Sequence, residues 1–342
     1  MSARNKMRYK SEMAVMIFAA LSIISVVKLH AQDNGKTDNG NSMLERIQWI
    51  SQFPPAEEDR KKSNLLEWIS ELIVGEKPTF INKPISILAF DPNNFWVIDQ
   101  GYGMIVHVRG RSAKNIRFGK KNNPNFSSLV DLCELSGNEL LVTESRLNQI
   151  YRIDLRKPRL IPLNDSLLLN RPTGIAYSEI NNEIWVIETQ AHHISILNNH
   201  GELIKTIGVR GEAPGEFNFP THIWIDKSGH AYIVDSMNFR VQIFNRNGEL
   251  ESIFGEQGDA TGYFGRPKGI ATDTHGNIYV ADALFHVIQI FDKEGRFLFW
   301  FGSQGREKEQ FWMPSGIFID SENYIYVTDM YNSRIQVFKL VN

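Results

Sequence analysis

A phrase returns along this chain every 43–48 residues from Pro84 to the C-terminus, and that period constrains the fold more than any other feature. The last three copies are clearest: Phe217-Asn-Phe-Pro220, Phe264-Gly-Arg-Pro267 and Phe311-Trp-Met-Pro314. Fifteen residues after each proline an acid closes a β-branched or aromatic run, as in Tyr232-Ile-Val-Asp235, Ile278-Tyr-Val-Ala-Asp282 and Ile325-Tyr-Val-Thr-Asp329. Val241-Gln-Ile-Phe244, Ile288-Gln-Ile-Phe291 and Ile335-Gln-Val-Phe338 follow, and after the first two comes a glycine turn with another apolar run. Short apolar runs punctuated by turn residues read as strands, four to a unit. An all-strand repeat of this length points to radially arranged sheets, the all-β propeller.

The weaker copies fix the number of units. Aligning the acids gives Asp99, Glu144, Glu188, Asp235, Asp282 and Asp329, and counting back gives Pro84, Leu129, Pro172, Pro220, Pro267 and Pro314. The region is filled by six units, so the expected fold is a six-bladed β-propeller of four-stranded antiparallel blades.

Residues 1–31 stand apart from the repeat. Arg4, Lys6, Arg8 and Lys10 precede an apolar stretch from Met13 to Val27, with Ala31 as a small residue at the expected cut. That order of charge and apolarity is a secretory signal peptide, too short in its apolar core for a comfortable membrane span. Its removal leaves 32 basic and 38 acidic residues, a balance unsuited to nucleic acid, which needs clustered positive charge. Cys133 is the only cysteine. An exported chain without an internal disulfide suits a bacterial envelope, so a secreted or periplasmic monomer is expected.

Residues 32–64 are expected as a linker and short extension, with Met43–Phe53 a short helix stopped by Pro54-Pro55, and residues 65–342 as the propeller. The last unit ends at its third strand, Ile335–Leu340. Upstream of Pro84, Trp68-Ile-Ser-Glu-Leu-Ile-Val-Gly75 mimics the fourth strands of the other units, such as Leu250-Glu-Ser-Ile-Phe-Gly255. It is therefore expected to close the last blade and cover an open sheet edge; a helix over residues 65–74 is the alternative.

Pro267-x-Gly-Ile-Ala-x-Asp273, Gly276-Asn-Ile-Tyr-Val-Ala-Asp282 and Asp329-x-x-Asn-x-Arg-Ile-Gln-Val-Phe338 resemble the NHL repeat, and the resemblance covers residues 65–342; Glu45-Arg-Ile-Gln-Trp49 with Pro54-Pro55 is also similar to the lead-in of exported bacterial NHL propellers. In this pattern the acid accepts turn N–H groups, Asn tolerates a left-handed turn and Arg pairs with the acid. Asp235/Asn238/Arg240 and Asp329/Asn332/Arg334 match it fully, whereas Phe285 and Val287 replace the partners of Asp282. The acids are thus expected to be structural.

The resemblance also brings enzymes into view. Amidating lyases of similar fold hold zinc with three inner-strand histidines, and lactonase propellers hold calcium at the axis. Two residues past the proline position this chain has Ser86, Asp131, Gly174, His222, Gly269 and Gly316. Asp131 and His222 are the channel candidates for a hydrolase or lyase, but one histidine cannot hold catalytic zinc. No metal or cofactor is expected. The preferred expectation is a non-catalytic platform that recognises a protein or extended ligand. Its binding residues are expected on one loop face: Tyr102, Arg210, Phe219, Phe239, Tyr263, Phe285, Trp312 and Tyr331, with Phe217, Phe264 and Phe311 as wedges in the core.

Overall fold

A computed structural model of the chain describes residues 47–56, 81–116, 128–157 and 159–341. Among them are six four-stranded sheets. Blade 1 holds β2 (Pro84–Asp91), β3 (Asn94–Asp99), β4 (Met104–Arg109) and β5 (Ser112–Ile116). Blade 2 holds β6 (Leu129–Ser136), β7 (Glu139–Glu144), β8 (Gln149–Asp154) and β9 (Leu160–Pro162). Blade 3 runs through β10 (Pro172–Ser178), β11 (Glu183–Glu188), β12 (His193–Asn198) and β13 (Leu203–Ile207). In blade 4 come β14 (Pro220–Ile225), β15 (Ala231–Asp235), β16 (Arg240–Phe244) and β17 (Leu250–Phe254). Blade 5 has β18 (Pro267–Thr272), β19 (Ile278–Asp282), β20 (Val287–Phe291) and β21 (Phe297–Phe301). Blade 6 joins β22 (Pro314–Ile319), β23 (Tyr324–Asp329) and β24 (Arg334–Leu340) to β1 (Ile47–Phe53).

The inner strands β2, β6, β10, β14, β18 and β22 pack side by side, and β22 returns to β2 to close the ring. Register follows the repeat: Pro84, Leu129, Pro172, Pro220, Pro267 and Pro314 each face the acid that ends the second strand of their blade. A register shift follows each of these positions, so every inner strand bends at the same level around the axis.

The core lies between blades. Phe217, Phe264 and Phe311 are fully buried. They pack against Phe244, against Phe254 and Phe291, and against Phe301 and Phe338 respectively. Burial of each such ring contributes about 1.5–3 kcal/mol. Gly208, Gly255 and Gly302 have φ of +87°, +94° and +96°, and a Cβ there would stand 2.4, 2.3 and 2.5 Å from those rings. The wedge thus requires glycine beside it.

The blade that joins the two ends of the described chain corrects two expectations. Residues 47–53 form a strand, not a helix, and this strand holds the outer place beside β24 that was assigned to Trp68–Gly75. Trp68–Gly75 itself lies outside the described residues. Among the described residues the propeller accordingly includes Ile47–Phe53 as well as the strands from Pro84 onward. Side chains on β1 explain the choice: Trp49 Nε1 donates to Gln336 Oε1 at 3.1 Å, and Arg334 donates to Gln52 Oε1 at 3.1 Å. Phe53 is buried edge-on against Phe95, with ring centroids 6.1 Å apart. A helix over the same residues would leave the outer-edge backbone groups of β24, on the side away from β23, unpaired.

Residues 1–31 also lie outside the described residues. Among the described residues no helix is long and apolar enough to cross a membrane.

Candidate functional site

The register places two kinds of loop at one end of each blade: the turn from second to third strand, and the long connection from fourth strand to the next inner strand. The recurring acids anchor this end. Asp329 accepts from Trp312 N–H (2.7 Å), Asn332 Nδ2 (2.8 Å), Arg334 Nε (2.8 Å) and Gln336 Nε2 (3.3 Å). Asp235 repeats the set with Asn218, Asn238, Arg240 and Gln242. Asp282, without Asn or Arg, takes four backbone N–H groups instead, from Gly265, Arg266, Leu284 and Phe285. Burial pushes the Asp282 and Asp329 carboxyls up, and these hydrogen bonds pull against it. Buried acids with their oxygens engaged hold turns in place and have no free lone pair aimed at a substrate.

At the axis the inner strands come so close that side chains are largely excluded. A Cβ on Gly174 would lie 2.9 Å from the His222 backbone, one on Gly269 2.5 Å from the Ser315 carbonyl, and one on Gly316 2.6 Å from the Ile85 carbonyl. Into the remaining arc project Ser86, Asp131 and His222, which the structure brings together. Asp131 Oδ1 accepts from Ser86 Oγ (2.5 Å) and Leu132 N–H (3.0 Å), and Oδ2 from Ile175 N–H (3.1 Å). His222 Nδ1 lies 3.5 Å from Oδ2. Burial raises the Asp131 carboxyl, opposed first by His222 and then by the hydrogen bonds. One carboxylate thereby ties four successive blades together. Serine and histidine both address the acid and not each other, so the trio lacks the serine–histidine contact of a nucleophilic site. Among the described residues no cluster of three or more His, Cys, Asp or Glu is placed to hold a metal ion.

The expected binding residues divide into two groups. Tyr102, Arg210, Phe219 and Tyr331 are exposed; Phe239, Tyr263, Phe285 and Trp312 are half-buried. Phe239 packs against the blade 4–5 core, and Trp312 lies between Tyr331 (centroids 6.3 Å apart) and the Arg306 guanidinium (5.1 Å). Leu147, Met237 and Leu284 are exposed apolar residues of equivalent turns that an inspection of aromatics alone overlooks. Together with Tyr102 and Tyr331 they place an exposed apolar tip on the turn of five blades, with Phe219 added from a connecting loop. At the other end of blade 1, a cleft of about 430 Å3 lies between β1 and the hairpin turns at Asn93 and Arg111.

The model of a family described as 6-bladed beta-propeller matches residues 154–252 and 264–342. Comparison with curated proteins gives no match. Among solved structures, a virginiamycin B lyase from Staphylococcus aureus with quinupristin is 15% identical, covering 78% of this chain and 97% of its own, with a TM-score of 0.55. An auxiliary nutrient binding protein from Bacteroides thetaiotaomicron is 16% identical over 76% of this chain and 69% of that one, with a TM-score of 0.59. A gluconolactonase from Xanthomonas campestris is 14% identical over 76% and 88%, with a TM-score of 0.57. At such identities the likeness is one of fold.

Proposed function

We propose that this chain, which belongs to the 6-bladed beta-propeller family, is a non-catalytic extracytoplasmic platform that recognises a protein or extended ligand through the turn-bearing face. The observation that carries this reading is the ring of exposed apolar tips: Tyr102, Leu147, Met237, Leu284 and Tyr331, each on a different blade, with Phe219 beside them. Scattered apolar residues are ordinary on a protein surface, but a set repeated around one rim marks a recognition surface. The matching geometry of the two Asp/Asn/Arg turns, in blades 4 and 6, supports an NHL-type repeat as the scaffold that presents it. The signal-like residues 1–31 support export to the periplasm or beyond.

The axial trio supports this reading over catalysis, because Asp131 is already saturated by Ser86, Leu132, Ile175 and His222. The test is capture from an envelope extract by the wild type and by a Tyr102→Ala/Phe219→Ala/Tyr331→Ala variant. The expected result is loss of the captured partner by a variant whose unfolding curve is unchanged. Equal capture by both would remove the rim from the account.

A further inference from the structure

One residue past the proline position the inner strands carry Ile85, Val130, Thr173, Thr221, Lys268 and Ser315. Two of these reach the first turn residue of their own blade: Thr173 Oγ1 meets Thr189 Oγ1 at 2.6 Å, and Thr221 Oγ1 meets Ser236 Oγ at 2.5 Å. This row therefore belongs to the turn-bearing end, inside the apolar ring. In blade 5 the turn residue is Ala283, which has no hydroxyl, and Lys268 holds the same position on β18 that Thr221 and Ser315 hold on the neighbouring inner strands β14 and β22.

Lys268 is half-buried, and its ammonium makes no hydrogen bond or ion pair with the described residues but stays open to solvent. Burial, and after it the like charge of Arg266, hold this amine below the usual lysine range. A partly desolvated cation whose acceptor is solvent can exchange that water for an oxyanion brought from outside. Further positive charge stands on the same rim. Lys83, Arg171 and Arg266 head the inner strands of alternate blades, and their carbonyls accept turn N–H groups from Gln100, Thr189 and Ala283 at 2.9, 3.2 and 3.0 Å. All three are exposed.

We infer that the mouth of the propeller axis on the turn face is an oxyanion site, in which Lys268, flanked by Thr221 and Ser315, seats a carboxylate or phosphate-type group of the ligand. The inference rests on the platform reading and deepens it: the apolar ring takes the body of the ligand and the axial lysine its charge. A lysine is a compact point charge suited to either group, so the probes must separate them.

The experiment is fluorine NMR of para-fluorobenzoate with the wild type, Lys268→Met and Lys268→Arg, followed by competition with inorganic phosphate. Loss of one charge-assisted hydrogen bond corresponds to about ten- to hundred-fold weaker binding. We expect that loss in Lys268→Met and substantial retention in Lys268→Arg, each variant folding as the wild type. Displacement by phosphate supports a site for both kinds of oxyanion, and binding without displacement supports a carboxylate site. Absence of binding to the wild type by both probes, or equal binding by Lys268→Met, overturns the inference. Capture by the Tyr102/Phe219/Tyr331 variant is measured alongside. If that variant loses its partner while Lys268 proves irrelevant to the probes, only the oxyanion site falls. If it keeps its partner, the platform reading falls whatever the probes show.

Discussion

The Nδ1 of His286 accepts a hydrogen bond from the backbone N–H of Met313 at 3.0 Å, across the boundary between blades 5 and 6. His192 does the same for Phe219 at 3.2 Å, and Asn148 uses its Oδ1 for Arg171 at 3.0 Å. All six residues have φ between +50° and +61°. The three acceptors stand four residues past their blade acid, and the three donors directly precede the inner-strand proline. At the other blade boundaries the turn residue is Gly103, Phe239 or Ser333. There the amides of Ser128, Arg266 and Lys83 turn instead to the acid of their own blade, Glu144, Asp282 and Asp99. A side-chain acceptor in the turn thus accompanies a left-handed residue before the proline, and the hydrogen bond offsets the cost of that backbone.

This latch makes stability depend on pH. His286 accepts through Nδ1, so it must be neutral at that atom to hold Met313. Burial holds its pKa below the usual histidine value, against the pull of Asp282 and Asp329. A group with a depressed folded pKa contributes stability that is complete above its unfolded value, about 6.5, and is lost as the pH falls through the folded value. His286→Asn reproduces the acceptor found at Asn148 and removes the titration. Urea unfolding is expected to show the wild type losing more stability than His286→Asn between pH 8 and pH 5. Parallel losses would count against the latch.

Arg334 is buried and donates to Asp329, Gln52, and the carbonyls of Glu307 and Gln310. Removing the carboxylate strands a guanidinium inside the blade. Asp329→Ala is expected to cost about 3–5 kcal/mol, the range for breaking a buried pair from one side. Asp329→Ala/Arg334→Met should recover part of that loss because no unpaired charge remains. The comparison is a double-mutant cycle in denaturant, and a double variant as unstable as the sum of the single ones would contradict it.

Blade number and the structural role of the acids were legible because both are local and repeat: a proline, a run and an acid recur in register. The closing strand was not. Ile47–Phe53 and Trp68–Gly75 both carry enough apolar residues for an outer strand. What places Ile47–Phe53 there is contact with Gln336 and Arg334, more than 280 residues away. The latch of His192 and His286 was invisible for another reason. Each histidine is unremarkable alone, and its meaning lies in a left-handed backbone shared with Asn148. Lys268 sits one place before the row in which Asp131 and His222 stand out, so attention to that row passes over it.

The closing strand itself can be tested at Phe53. Its ring is buried between β1 and blade 1, in the cluster that also holds Phe95, Val337 and Tyr326. Truncation leaves a cavity in the one blade whose outer strand comes from far away in the chain. Phe53→Ala is expected to cost about 3–5 kcal/mol. Because β1 covers the edge of β24, the variant should also associate through that edge, and light scattering during unfolding would detect it. A variant with wild-type stability would show that β1 adds little to the ring.

The tight axis makes a sharper prediction for glycine. In blade 5 the added Cβ of Gly269→Ala would meet the Ser315 carbonyl at 2.5 Å and the Ile317 amide nitrogen at 2.8 Å. Both are backbone atoms, which cannot swing aside as a flexible side chain would, so blades 5 and 6 must separate locally. Overpacking of this kind costs about 1–3 kcal/mol. Gly137 is the matched control: nothing lies within 4 Å of its added Cβ, and its backbone is not in the left-handed region. Gly137→Ala should therefore be neutral or slightly stabilising, by up to about 1 kcal/mol through the unfolded chain. Equal denaturation midpoints for the two variants would mean that the axis has room for side chains, and with it room for a wider channel than the structure describes.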